Sequence, residues 1–383
     1  MYSDNIIYVG VDDDDIDLFE GQYDVPNGMS YNSYVIMDEK IAVTDTVDLR
    51  KVQAFLDNVK TALHGKKPDY LIVHHVEPDH ASSLQAFLDV YPDVTLVGNA
   101  KTFQMLENYF AFTAARLVVK EGDELSLGAH TLKFITAPMV HWPEVMMSYE
   151  VSEKILFSAD AFGKFGMRET EESWDSEARR YYFNIVGKYG PQVQAVLKKA
   201  TGLEIKTICP LHGPDLDVTI PHVLNLYQAW SSYNPEVTDG VFIAYASLHG
   251  NTAAAVECLA DIIDKHGRGD VYLADLARVD MSEALSAAFQ YKRIILAAST
   301  YNAGLMPFME DFLNHLKAKN WQNHIVGLVE NGSWAPMAAK VMKAAMESAK
   351  NITVIEPVVT IKGAVKEADL PRLAELAEAI LKD

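Results

Sequence analysis

Residues 73–83 read V-H-H-V-E-P-D-H-A-S-S, with three histidines and two carboxylates in one short stretch, and no other part of the chain is so dense in metal-binding groups. In an extended segment side chains alternate between faces, so His75, Glu77 and Asp79 are expected on one side, with His80 adding a fourth ligand at the turn. A short apolar run, residues 70–73, leads into the stretch, and residues 81–91 follow with helical spacing. The stretch therefore falls between a strand end and a helix start, where ligands stay exposed on a rigid support. It reads as half of a metal site, and the fold must bring the other half to it.

Three further segments offer one good ligand each, just past a strand-like run. Residues 131–136 lead to His141, residues 154–157 to Asp160, and residues 205–209 to His212. Alone, His141 would pass as an ordinary polar loop residue. The ordered series H-x-E-x-D-H, then a strand-end His, a strand-end Asp and a His-Gly, does not. Loops at one edge of a layered β-structure are expected to assemble His75, Glu77, Asp79, His80, His141, Asp160 and His212 around two metal ions.

Ligand chemistry narrows the metal. Cys209 and Cys258 are the only cysteines, too few for a thiolate site, so nitrogen and oxygen ligands are expected. Glu77 stands where the hydrolytic zinc motif H-x-H-x-D-H has a histidine, and the added anionic oxygen favours a ferric over a ferrous ion. A redox di-iron site is expected over a hydrolytic di-zinc one. The competing reading is a di-zinc hydrolase with an appended second domain; a pure electron carrier is a further alternative, against which the complete ligand set argues. His64, His74 and His130 lack comparable context, and the acidic run 12–15 reads as a solvated turn.

Length suggests two domains, with a turn-rich boundary at residues 231–240; the expected domains are 1–238 and 239–383. Beyond residue 241, strands at 241–246, 271–274, 293–297, 325–329 and 353–359 alternate with helices at 252–265, 307–318, 335–349 and 369–382. That alternation predicts a doubly wound parallel sheet, in which ligands bind beyond the strands' carboxyl ends. There Ser247, Leu248, His249, Gly250, Asn251 and Thr252 run straight into a helix, a cradle for a phosphate. Neither G-K-[ST] nor G-x-G-x-x-G is present, so a monophosphate fits better than a triphosphate or dinucleotide. Two more loops, Ser299, Thr300, Tyr301, Asn302, Ala303, Gly304 and Glu330, Asn331, Gly332, Ser333, Trp334, Ala335, suit a flat heteroaromatic ring. Flavin mononucleotide is the expected ligand.

The balance of 33 Lys plus Arg against 53 Asp plus Glu, a net charge of −20, opposes binding to nucleic acid or anionic membranes. No signal-like N-terminus or membrane-length apolar run is seen, and a cytoplasmic location is expected.

With both halves read, the chain resembles the flavodiiron proteins (A-type flavoproteins), from G-M-S-Y-N-S-Y at residues 28–34 through Trp334. The resemblance implies an α/β protein in which a metallo-β-lactamase-like αββα sandwich precedes a flavodoxin-like doubly wound parallel sheet. It implies reduction of O2 to water or of NO to N2O, with FMN and two non-haem iron ions per chain. His75, Glu77 and His141 would hold the iron nearer the flavin, Asp79, His80 and His212 the other, and Asp160 would bridge them. No separate acid or base is implied. The family's head-to-tail homodimer, or a dimer of dimers, and a separate donor such as rubredoxin are also implied, the chain ending at Asp383 without a C-x-x-C module. After D-A-F-G at residues 160–163 this chain has Lys164-Phe165 where some relatives have a histidine.

Overall fold

The computed structural model describes residues 3–267 and 269–382, and these form two compact units dividing after Gln228. In the first unit, a six-stranded sheet runs in the order Ile6–Tyr8, Tyr34–Ile36, Ala42–Thr44, Tyr70–Ile72, Thr95–Gly98 and Ala115–Val118. A five-stranded sheet runs Glu124–Ser126, Thr131–Thr136, Met146–Glu150, Ile155–Phe157 and Thr207–Cys209. Both sheets give side chains to one core: Ile6, Tyr34, Ile36, Ile72 and Val97 meet Leu132, Phe134, Met146, Ile155 and Phe157. Apolar burial of this kind supplies most of the stabilisation, roughly 25 cal/mol per Å² removed from water. Helices such as Val52–Leu63 and Gly190–Ala200, each amphipathic, complete the αββα sandwich.

The second unit is a parallel sheet in the order Val271–Asp275, Val237–Ala246, Tyr291–Tyr301, Ile325–Asn331 and Thr353–Val354, with Val359–Ile361 also paired to Ile325–Asn331. Chain order 2-1-3-4-5 is that of a flavodoxin-like sheet, and its switch point lies between Val237–Ala246 and Tyr291–Tyr301. The helices Asn251–Lys265 and Leu370–Ile380 bury Val256, Leu259, Leu373 and Leu376 against Ile243, Ile295 and Val329.

Three local expectations differ. Residues 353–359 are not one strand, because Pro357 has no N–H to give the ladder and the pairing resumes only at Val359. The helix expected at 81–91 is two pieces, Pro78–Ala81 and Leu84–Val90. The stretch 75–79 is extended only as far as Glu77, since Pro78 occupies the first helical position and its fixed φ starts a turn there. Asp79 and His80 therefore lie in that turn, not on one face of a strand.

Candidate metal and flavin sites

The strand Tyr70–Ile72 is carried one residue further by Val73 N–H donating to Val97 O at 2.9 Å. The chain then turns, and Asp45 fastens the turn: its Oδ1 accepts from His74 N at 2.7 Å and from His75 N at 3.4 Å. Asp45 Oδ2 lies 2.6 Å from His74 Nδ1, and His74 Nε2 lies 2.8 Å from Ser148 Oγ, so His74 is consumed by a buried polar chain outside the ligand cluster. The helical turn Pro78–Ala81 is anchored by Thr46, whose N–H and hydroxyl both donate to His80 O.

The other ligands arrive from the second sheet. His141 follows Thr131–Thr136 and Met139, which takes a positive φ of 64° and donates its N–H to Trp142 O. Asp160 follows Ile155–Phe157, where Ser158 Oγ donates to Ala161 O at 2.8 Å. His212 follows Thr207–Cys209, in a loop held by Asn32, whose amide donates to the carbonyls of Pro210 and Gly213 at 2.9 and 2.7 Å.

These residues form two groups, His75 with Glu77, His141 and Asp160, and Asp79 with His80 and His212. In the first group Glu77 Oε2 is 3.2 Å from His75 Nε2 and 3.0 Å from His141 Nε2. Asp160 Oδ2 is 3.3 and 3.2 Å from the same nitrogens. In the second, Asp79 Oδ2 is 3.1 Å from His80 Nε2 and 3.3 Å from His212 Nε2, while Asp160 Oδ1 is 3.3 and 3.7 Å away. Each oxygen of Asp160 thus faces a different group. Ligand atoms about 2.1 Å from a shared ion stand roughly 3.0–3.4 Å apart, which is the spacing of every pair but Asp160 Oδ1 and His212 Nε2 at 3.7 Å.

The polar bookkeeping also fits two cations. Among the described residues, neither oxygen of Asp79 or of Asp160 receives a hydrogen bond, although both residues are buried. His80 Nε2 and His212 Nε2 face each other at 3.1 Å, an arrangement suited to two lone pairs sharing a cation. The remaining ring nitrogens of His75 and His212 are engaged from behind, by Glu144 Oε1 at 2.7 Å and Ser30 O at 2.7 Å, which turns both Nε2 atoms into the cluster. Burial opposes protonation of His75, but the carboxylates of Asp160, Glu144 and Glu77 reverse this and hold its pKa well above the usual value. Burial likewise raises Asp160, and the surrounding His75, His141 and His80 overcome it and hold the carboxyl well below the ordinary range. Imidazole and carboxylate ligands with no thiolate suit iron, manganese or zinc.

His141 gives a test. Burial lowers its pKa, and the carboxylates of Asp160 and Glu77, 3.2 and 3.0 Å from its Nε2, override that to raise it from 6.5 to about 9. A histidine whose folded-state pKa is raised contributes stability that is fully present below pH 6.5 and lost as pH rises through about 9. After chelation, the urea midpoint is therefore expected to fall between those pH values, and rebinding metal in the same window is expected to release protons. A midpoint that rises over this interval contradicts the arrangement.

A cavity of about 540 Å³ opens onto Glu77 and Asp79, walled by Phe19, Glu20, Tyr31 and Arg50. Behind it Phe19, Tyr31 and Tyr181 set their rings 5.4, 5.9 and 5.5 Å from the His212 ring and keep it dry. Phe165 is buried among Phe19, Tyr23 and Tyr181, and Lys164 points away, its ammonium donating to Phe165 O, Met167 O and Thr170 Oγ1. At residues 13–15 the three carboxylates already surround Lys51 Nζ at 3.2–3.3 Å, so this acidic cluster has its cation.

In the second unit a cavity of about 190 Å³ lies at the switch point. Its walls are Leu248, His249, Asn251, Thr252, Ser299, Thr300, Asn302, Ala303, Asn331, Gly332, Ser333 and Trp334, joined by Gly363, which sequence reasoning did not pick. No lysine or arginine lines it. Gly250, with a φ of 83° that only glycine adopts at little cost, turns the chain into the helix Asn251–Lys265, whose first residues Asn251 and Thr252 line the cavity. Thr252 Oγ1 and Ser299 Oγ sit 2.8 Å apart beside that helix start. Ser247, Gly250, Tyr301, Gly304, Glu330 and Ala335 stand outside this wall. Ser247 Oγ accepts from Ala253 N, Tyr301 pairs with Gly304, and Glu330 joins Ala339 N to Thr360 Oγ1. The cradle of hydroxyls and helix N–H groups fits one phosphate, and the exposed Trp334 beside Gly332 offers a face to a flat ring.

Comparison with known proteins agrees with both halves. A family model described as ODP family beta lactamase matches residues 29–213, and one described as Flavodoxin domain matches residues 242–371. The nitric oxide reductase of Moorella thermoacetica is 28% identical, over 99% of this chain and 97% of its own. Among solved structures, rubredoxin:oxygen oxidoreductase from Desulfovibrio gigas superposes with a TM-score of 0.93 at 27% identity, covering 100% of this chain and 97% of that one. The flavodiiron protein from Giardia intestinalis superposes at 0.89 and 25% identity, covering 98% and 94%. The chain spans about half the length (56%) of two diflavin flavoproteins, of Synechocystis sp. and Nostoc sp., that are 30% and 31% identical to it.

Proposed function

This chain belongs to the flavodiiron protein family, and from that premise we propose that it is an oxidoreductase passing electrons from a separate donor protein through FMN to a di-iron centre that reduces O2 to water, NO to N2O, or both. The observation that carries the reading is the two-sided carboxylate of Asp160, one oxygen facing each of two ligand groups in a pocket lacking any thiolate. His75, Glu77 and His141 would hold one iron, Asp79, His80 and His212 the other, with Asp160 shared. When bound, the flavin and the irons supply the electrons, four for O2 taken to water and two for a pair of NO molecules.

The chain's own residues have definable tasks. Glu144 and the Ser30 carbonyl fix the tautomers of His75 and His212, so that both present a bare Nε2 inward. Phe19, Tyr31 and Tyr181 pack against the His212 ring and hold it in place, while the cavity past Glu20 and Arg50 admits a small gas to the Glu77 and Asp79 side. The helix start at Asn251 and the Thr252 and Ser299 hydroxyls would hold the FMN phosphate. A rubredoxin-like donor and a homodimer fit the name of the Desulfovibrio gigas relative and the family's habit. No helix of the described residues is long and apolar enough to cross a membrane.

Metal and flavin analysis followed by turnover of both gases with one reductant tests this reading. Two iron ions and one FMN per chain with reductase activity are expected; two zinc ions and no flavin would transfer the protein to the hydrolases. Trp334 provides a second test, being 74% exposed and on the cavity rim. Trp334→Ala should weaken FMN binding by roughly tenfold or more, since stacking on an aromatic side chain contributes about 1–3 kcal/mol. Thermal stability of the flavin-free protein should scarcely change. Unaltered affinity in a fluorescence titration would remove Trp334 from the ring site.

A further inference from the structure

The two ligand groups are not backed alike. His75 Nδ1 meets the carboxylate of Glu144 at 2.7 Å, and Val76 N–H donates to the same oxygen at 2.9 Å. Glu144 is fully buried, and its second oxygen, Oε2, receives no hydrogen bond among the described residues. In the other group, among the described residues, His212 Nδ1 meets only the neutral carbonyl of Ser30 and His80 Nδ1 has no hydrogen-bond partner. Glu77 and Asp79 give one carboxylate to each group, Asp160 serves both, and Asp48 and Glu20 border the cavity beside them; what the other group lacks, among the described residues, is a buried carboxylate behind a ligand imidazole, which Glu144 supplies to His75.

An acceptor behind a metal-bound imidazole makes that ring a stronger donor, and a buried negative charge acts at short range with little screening. We propose that Glu144 is a positioning residue that makes the two metal positions inequivalent. Its carboxylate fixes the His75 ring and favours the ferric form of the ion held by His75, Glu77 and His141. With iron bound, the ion held by His75, Glu77 and His141 would have the lower one-electron midpoint and the ion held by Asp79, His80 and His212 the higher. The inference rests on the di-iron reading above.

An anaerobic redox titration of the whole protein, followed by the electron paramagnetic resonance of the half-reduced centre, provides the test. Glu144→Gln keeps an oxygen for both N–H groups and removes the charge. The lower of the two one-electron midpoints should rise by at least the 59 mV of a tenfold change in that ion's ferrous-to-ferric ratio, while the upper one stays put. Iron affinity, measured by competition with a chelator, should fall by roughly 10- to 100-fold. Both midpoints moving together, or neither moving with iron retained, overturns the proposal. Glu144→Asp keeps the charge and should hold the lower midpoint within the 59 mV of a tenfold change from that of the unaltered protein; a shift as large as that of Glu144→Gln assigns the effect to geometry and also overturns it. Should Glu144→Gln not accumulate folded, the aspartate variant decides by the same tenfold criterion. Absence of iron from the unaltered protein would sink the di-iron reading itself, an outcome distinct from all of these.

Discussion

Asp160→Ala should yield a folded protein that keeps its flavin, holds neither iron ion, and has lost at least about a thousandfold in turnover of both gases. The magnitude follows from position. Oδ2 stands 3.3 and 3.2 Å from His75 Nε2 and His141 Nε2, and Oδ1 stands 3.3 and 3.7 Å from His80 Nε2 and His212 Nε2. Deleting the carboxylate removes one ligand from each group and leaves four imidazoles facing two carboxylates, too little negative charge to retain two divalent ions in a buried pocket. The flavin cradle belongs to the other unit and provides the internal control: FMN absorbance should persist at one per chain. Asp93→Asn, at an exposed carboxylate whose partner is the equally exposed Lys67, should change neither metal content nor rate. Two iron ions per chain in Asp160→Ala, measured by elemental analysis, would refute the shared-ligand arrangement.

The ligands were legible because each stands just past a strand, where side chains are exposed yet rigidly held, and because their order along the chain is long enough to be unlike chance. What surrounds them was not. Glu144 lies 69 residues from His75, Asp45 lies 29 from His74, and Ser30 lies 182 from His212; no local periodicity marks such partners. Glu144 left a faint trace, an acid three residues beyond His141. Asp45 left another, an acid just past the apolar run 40–44, the same position that singled out Asp160. His74 showed no such context, and its work is to hold backbone through Asp45 and Ser148. The alternation argument for residues 75–79 failed at Pro78, whose preference for a first helical position outweighs continuation of the strand. The parallel sheet of the second unit was readable from alternating apolar runs, and its break came at Pro357, a residue the ladder cannot use. Gly363 reaches the flavin cavity because Asn331 holds it there, donating to its carbonyl at 2.9 Å and accepting its N–H at 3.0 Å, a contact only the folded chain reveals.

Glu77→His is expected to lower turnover of O2 and of NO by at least about a hundredfold while the site still binds metal, now favouring zinc. Glu77 Oε2 sits 3.0 Å from His141 Nε2 and 3.2 Å from His75 Nε2, and the residue borders the cavity that leads to the cluster. Its pKa is held below the ordinary carboxylate range; burial works against this, and His141 and His75 overcome it. The residue therefore acts as an anion at neutral pH. Exchange for histidine restores the hydrolase pattern H-x-H-x-D-H and removes one of three carboxylates facing two cations, which favours ferrous over ferric iron and suits zinc. Glu77→Gln separates charge from shape, since the amide oxygen still reaches both imidazoles. If the glutamine variant loses activity as the histidine variant does, charge is what matters; if only histidine does, ring volume at the cavity mouth is the cause. Both gases turned over at the original rate, with two irons still bound in Glu77→His, would mean that the carboxylate at this position does not distinguish a reductase from a hydrolase. The case for iron over zinc would then rest on the charge of Glu144 behind His75.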